Sequence, residues 1–111
     1  MSSNGSEQLQ ISVVIPTMNA SRNIGECLQS IMRSSHSPIE VIVVDGRSKD
    51  GTADIARSLG AKVVQGTAQG RASDCNIGIA EAKGDIVAFT DDDCVVDEHW
   101  LERIATCFAD P

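Results

Sequence analysis

Tyrosine is absent from the 111 residues, and the large aromatic side chains are limited to Trp100, Phe89 and Phe108. A chain so poor in ring faces has little on which to stack bases, which argues against single-stranded nucleic acid as a partner. Cations are scarce as well. Nine lysines and arginines stand against sixteen aspartates and glutamates, a formal net charge of −7, and no basic run offers a local patch. Such a surface repels phosphate backbones and anionic membranes, so neither nucleic acid nor a membrane surface is expected as a partner of this segment. The four cysteines, at 27, 75, 94 and 107, contain no CxxC pair. That spacing argues against a zinc framework or a secreted disulfide scaffold and leaves buried free thiols as the expectation. No apolar run approaches the roughly 20 residues that span a bilayer. The opening "MSSNGSEQLQ" has neither the basic start nor the apolar core of a signal peptide. Residues 1–10 are therefore expected to be a disordered tail, and the chain to be soluble and cytoplasmic.

What remains is regular. Four β-branched runs recur: "ISVVIP" (11–16), "IEVIVVD" (39–45), "AKVVQG" (61–66) and "DIVAFTD" (85–91). They are apolar on both faces, as strands covered by helices on both sides should be. Helical patterns lie between them. Ile24, Cys27, Leu28, Ile31 and Met32 follow the spacing of one helix face. "DGTADIARSLG" (50–60) runs from a capping aspartate to a terminating glycine. In 70–84, Ala72, Cys75, Asn76, Ile79 and Ala80 share a face, and Trp100, Leu101, Ile104 and Phe108 make a last stripe. Strict alternation of strand and helix predicts one α/β domain built on a parallel sheet with right-handed crossovers.

In such sheets ligands bind beyond the carboxyl ends of the strands. Pro16 and Thr17, Asp45, and the triple aspartate 91–93 all fall there, after the first, second and fourth strands. A solvated turn explains any one of them; the coincidence favours a site. Alternate side chains of an extended segment point the same way, so Asp91 and Asp93 converge while Asp92 points elsewhere. Two convergent carboxylates suit Mg²⁺ or Mn²⁺, ions that complete their shell with substrate phosphates. Capping of the following helix is the competing explanation, but one acid suffices for that and Asp97 lies nearer the helix start. Asp45 can only accept hydrogen bonds, which suits a nucleobase N–H or a ribose hydroxyl, unless it is a turn residue of "DGRSKDG". Arg71 opens the third helix and is either a solvated charge or a contact to the nucleotide. Asn76, on the apolar face, is expected to tie its helix to a neighbouring backbone.

"SVVIPTMN", "EVIVVDGRSKDGTADIA", "GRASDCNIGIAEAKGDIVAFTDDDC" and "WLERI", in this order, resemble the N-terminal, nucleotide-binding half of a family 2 glycosyltransferase with the GT-A fold. The resemblance covers residues 11–111 and implies a Rossmann-like sheet of strand order 3-2-1-4. It implies a metal-dependent, inverting transfer of sugar from a UDP-, GDP- or dTDP-sugar to a saccharide or lipid-linked acceptor. By it, Pro16 and Thr17 line the base pocket, Asp45 bonds the base and Arg71 contacts the nucleotide. Asp91-Asp92-Asp93 resembles the DxD motif, whose first aspartate reaches the ribose and whose last binds Mn²⁺ or Mg²⁺. Three departures stand out: Met18 where tyrosine is common, Gly46-Arg47 where a second acid and a glycine are common, and Cys75 where arginine is common. The acceptor half, with the general base, is expected beyond Pro111, together with any membrane attachment, so no catalytic residue is assigned within the chain. Two other readings are weighed. One is a non-catalytic nucleotide-sugar-binding module. The other is a haloacid-dehalogenase-like phosphatase, whose nucleophile motif "FTDDDCVV" also satisfies, but that motif normally follows a first strand.

Overall fold

The computed structural model describes residues 9–67 and 69–109. Eight elements follow in order: β1 (Ile11–Thr17), α1 (Ile24–Met32), β2 (Glu40–Asp45), α2 (Thr52–Ser58), β3 (Lys62–Gln65), α3 (Arg71–Glu81), β4 (Ile86–Phe89) and α4 (Trp100–Ala109). The strands form one four-stranded sheet of order β3-β2-β1-β4, and every pairing is parallel. Most of the expected tail, residues 1–8, lies outside the described residues. Gln10 already belongs to the sheet margin, where its N–H donates to Asp85 Oδ2 at 2.9 Å.

The central strand β1 is buried along its whole length, and its alternation divides the core. Ile11, Val13 and Ile15 face α1, α2 and α4, meeting Leu28, Ile31, Ala56 and Leu101. Val14, with Ile42 and Val44 of β2, faces α3 through Ile77. Helices thus cover both faces, as expected, but unevenly: three on one side and one on the other.

That single helix does not use the face its apolar spacing suggests. Its buried residues are Asp74 and Gly78, while Asn76 is exposed and Ile79 is 47% exposed. Asn76 therefore does not tie the helix down. The reason is steric. A Cβ on Gly78 would lie 2.3 Å from Val14 Cγ1, so the helix approaches the sheet through the space left by a missing side chain. Apolar periodicity cannot register a contact made by glycine. The other stripes hold at their centres and fail at their C-terminal ends: Met32 and Phe108 are 51% and 65% exposed. Of the four cysteines only Cys27 is buried; Cys75 and Cys94 are partly exposed and Cys107 is exposed. β4 is also shorter than its apolar run, ending at Phe89 opposite Val14, so the aspartates lie in a turn rather than in a strand.

Candidate functional site

Registry brings the strand ends together. Thr17 and Asp45 are paired partners at the carboxyl ends of β1 and β2. β4 stops three residues short of Thr17 on its other side, and the chain that follows crosses toward the end of β1. There Thr17 Oγ1 donates to Asp92 Oδ2 at 2.7 Å. A pocket of about 310 Å³ opens at this rim, lined by Pro16 and Thr17 of β1 with Met18 just after it, Gly70 just before α3, Arg71 and Asp74 of α3, and Asp92.

Asp92 lines the pocket, whereas Asp91 and Asp93 are not among its lining residues. The N–H of Cys94 donates to the Asp91 carbonyl at 3.2 Å, closing a turn that gathers Asp91, Asp93 and Cys94. One ligand atom from each lies within 4.8 Å of the others. The convergence of Asp91 and Asp93 is thus real, but a turn produces it rather than strand alternation. The Arg71 guanidinium pairs with the Asp91 carboxylate. Both side chains are about half exposed, so the pair contributes at most ~1 kcal/mol and can open to admit another cation. Beneath the turn, Cys27 Sγ donates to the Asp91 carbonyl at 3.4 Å. Burial first, then the nearby Cys94 and the three aspartates, push this thiol up to about 11. It stays protonated at neutral pH and acts as a donor supporting the turn.

Asp45 stands at the same end of the sheet but outside the residues lining the pocket. It is buried, and its carboxylate accepts from Ser48 N–H at 3.2 and 3.4 Å. Its observed contact is the turn contact. Arg47 has φ +67°, a left-handed conformation that glycine adopts more readily; this is one of the two positions where the chain departs from the common "VDDGS" pattern.

Sequence reasoning misses two residues of the pocket lining, Gly70 and Asp74. Asp74 is 5% exposed, lines the pocket, and accepts from Thr67 N–H at 2.9 Å and Thr67 Oγ1 at 3.2 Å. Its signal was the helical i, i+4 spacing to Gly78, which places it on the face the glycine brings against the sheet.

The sequence model described as Glycosyl transferase family 2 matches residues 12–111. This chain belongs to the family 2 glycosyltransferases. It is 38% identical over 101 residues to glycosyltransferase AglE of Haloferax volcanii, covering 84% of this chain and 33% of that protein. It is 35% identical over 113 residues to the 4,4'-diaponeurosporenoate glycosyltransferase of Staphylococcus haemolyticus, covering 95% of this chain and 30% of that one. It thus spans about a third of the length of these relatives. Among solved structures, the mannosyltransferase PcManGT of Pyrobaculum calidifontis, in complex with GDP-Man and Mn²⁺, superposes with a TM-score of 0.86 at 30% identity, over 94% of this chain and 33% of that one. Glucosyl-3-phosphoglycerate synthase of Mycobacterium tuberculosis, in complex with Mn²⁺, UDP and glucosyl-3-phosphoglycerate, gives 0.80 at 27%, over 92% and 40%. The α/β sheet of this family 2 chain is therefore the GT-A arrangement that the resemblance implies. Its aspartate motif follows the fourth strand, where the phosphatase motif would need the first. Among the described residues, no helix is long and apolar enough to cross a membrane.

Proposed function

We propose that this chain is the donor-binding part of a metal-dependent glycosyltransferase, which moves a sugar from a nucleotide-diphosphate sugar to an acceptor with inversion. The observation that carries the reading is the rim itself: a pocket lined by Thr17, Arg71 and Asp92 beside a turn that gathers Asp91, Asp93 and Cys94. The pocket is the nucleotide's place. Arg71 there offers planar donors to phosphate or base oxygens, and the Thr17–Asp92 hydrogen bond fixes the floor.

The donor set of the turn fits a hard divalent ion, because two carboxylates from Asp91 and Asp93 converge at the solvent edge where phosphates can reach. When bound, Mn²⁺ or Mg²⁺ would neutralise charge on the departing diphosphate. Asp91 and Asp93 would hold it, and Arg71 would be freed from Asp91 to approach the nucleotide. The structures with GDP-Man and Mn²⁺ and with UDP and Mn²⁺ support this choice of ligand class. The four free thiols suit a reducing, cytoplasmic location. A second reading, a bare nucleotide-sugar-binding module, rests on the same pocket, which would hold a nucleotide whether or not transfer follows. It predicts the same binding, and sugar transfer in a longer protein carrying this segment separates the two.

Amide chemical-shift mapping tests the site. Adding UDP or GDP with Mg²⁺ should shift Thr17, Arg71, Asp92 and Cys94, and leave Ile39 and Gly84, at the opposite ends of the strands, unmoved. Shifts confined to that opposite end would refute the site. Sugar transfer by the 111-residue chain alone would place the catalytic machinery within these residues and contradict the donor-binding-part reading.

A further inference from the structure

We propose that Cys94 is a third protein ligand of the cation at the aspartate turn and makes the site one for thiophilic divalent ions of the Zn²⁺ type; the inference rests on the metal part of the reading above. Asp91, Asp93 and Cys94 each bring one ligand atom within 4.8 Å of the other two. Both carboxylates are exposed and the thiol is partly so, so the set faces solvent and can tighten. A zinc-type ion holds thiolate sulfur at ~2.3 Å and carboxylate oxygen at ~2.1 Å, so two such atoms on one ion stand no more than ~4.4 Å apart. Closing the set therefore asks only a small shift of surface side chains.

The turn brings the sulfur to the carboxylates. Cys94 N–H donates to the Asp91 carbonyl at 3.2 Å, which folds residue 94 back toward residue 91, and Cys94 Sγ lies 3.9 Å from Asp93 Oδ1. The other thiol of this region is engaged elsewhere: Cys27 is buried and donates to the Asp91 carbonyl at 3.4 Å. Among the described residues, the Cys94 sulfur has Asp93 alone as a hydrogen-bond partner. A cation replaces that loose contact by ligation, because a thiol gives up its proton when the metal binds. Two carboxylates by themselves suit hard ions such as Mg²⁺, which keep oxygen ligands and waters. A thiolate beside them shifts the choice toward Zn²⁺ and softer ions such as Cd²⁺.

The rival explanation is that Cys94 merely completes the turn. Cys94→Ser separates the two, since serine keeps the N–H that closes the turn and removes only the sulfur. Calorimetric titration with Cd²⁺ and with Mg²⁺, without nucleotide, reads the difference, in a background of Cys75→Ser and Cys107→Ser that silences the other accessible thiols. The chain that retains Cys94 should prefer Cd²⁺ to Mg²⁺ and develop a sulfur-to-Cd²⁺ absorption band in the ultraviolet. Cys94→Ser should abolish the band and shrink the preference at least about tenfold, since a lost ligand costs no less than a lost supporting residue. Asp93→Asn should weaken Cd²⁺ binding, and the band with it, at least about tenfold, because thiol and carboxylate hold one ion. Should Cys94→Ser fail to fold, X-ray absorption of Cd²⁺ on the chain that retains Cys94 must show one sulfur among oxygen ligands. An unchanged preference, a missing band, a band untouched by Asp93→Asn or an all-oxygen shell would overturn the inference, and a chain that still binds UDP or GDP in Mn²⁺ would keep its donor site. Cd²⁺ held by Cys94 and Asp93 in a chain that binds neither nucleotide in Mn²⁺ would uphold the ligand set and overturn the donor reading instead.

Discussion

Asp93→Ala is expected to remove metal-dependent nucleotide binding almost entirely, lowering affinity in Mn²⁺ at least about 100-fold. Residues that merely support a metal ligand typically cost 10–100-fold when changed, and Asp93 is one of only two carboxylates in the turn cluster. Asp91, the other, is shared with Arg71. Without Asp93, the diphosphate would meet an acidic rim with too few ligands to hold a compensating cation. Asp92→Ala is the internal control. Asp92 accepts from Thr17 rather than joining the cluster, so its loss should weaken binding without abolishing the dependence on metal. Titration of the two variants in Mn²⁺ and in chelator distinguishes these patterns. An Asp93→Ala chain as tight and as metal-dependent as the natural one would remove Asp93 from the metal site.

Gly78→Ala should destabilise the fold, although alanine usually improves a helix by ~1 kcal/mol over glycine. The added methyl would fall 2.3 Å from Val14 Cγ1 and 3.2 Å from Val44 Cγ2. Both valines are fully buried and belong to the two central strands, so neither can withdraw cheaply. Overpacking of this kind costs ~1–3 kcal/mol, enough to exceed the propensity gain and lower the melting temperature by several degrees, at ~4–8 °C per kcal/mol in a small domain. The same contact positions Arg71 and Asp74, so a weaker nucleotide site should accompany the lost stability. Urea or thermal unfolding of Gly78→Ala decides the point. An increase in stability would mean that α3 sits farther from the sheet than described.

These two residues also mark the limits of what the sequence discloses. Strand positions were legible because a sheet covered on both faces needs continuous β-branched runs, and "ISVVIP" and "VIVV" have no other comfortable place. The site's location was legible because parallel topology sends every strand's carboxyl end to one rim; Thr17, Asp45 and the aspartates all lie there. The buried face of α3 is hidden from the sequence for a physical reason. Its contact with the sheet is made by Gly78, which has no hydropathy, and by Asp74, whose hydrophilicity argues for solvent. The convergence of Asp91 and Asp93 does not come from strand alternation, since β4 ends at Phe89 and the Asp91–Cys94 turn does the gathering. Asp45 is assigned from its strand-end position, an acceptor's chemistry and the family resemblance, and the sequence could not show that Ser48 N–H would also bond its carboxylate. Hydrogen-bond partners brought together by a turn are invisible to periodicity.

The central claim is that the rim holds a nucleoside diphosphate together with a divalent cation. Calorimetric titration of the natural chain with UDP and with GDP, each in Mn²⁺ and again in excess chelator, tests it most directly. The account predicts saturable binding of at least one of the two in Mn²⁺ and a loss of at least about 100-fold in affinity in chelator, because three adjacent aspartates and a diphosphate repel one another without an intervening cation. Equal affinity in Mn²⁺ and in chelator, or no binding of either nucleotide in Mn²⁺, would contradict it.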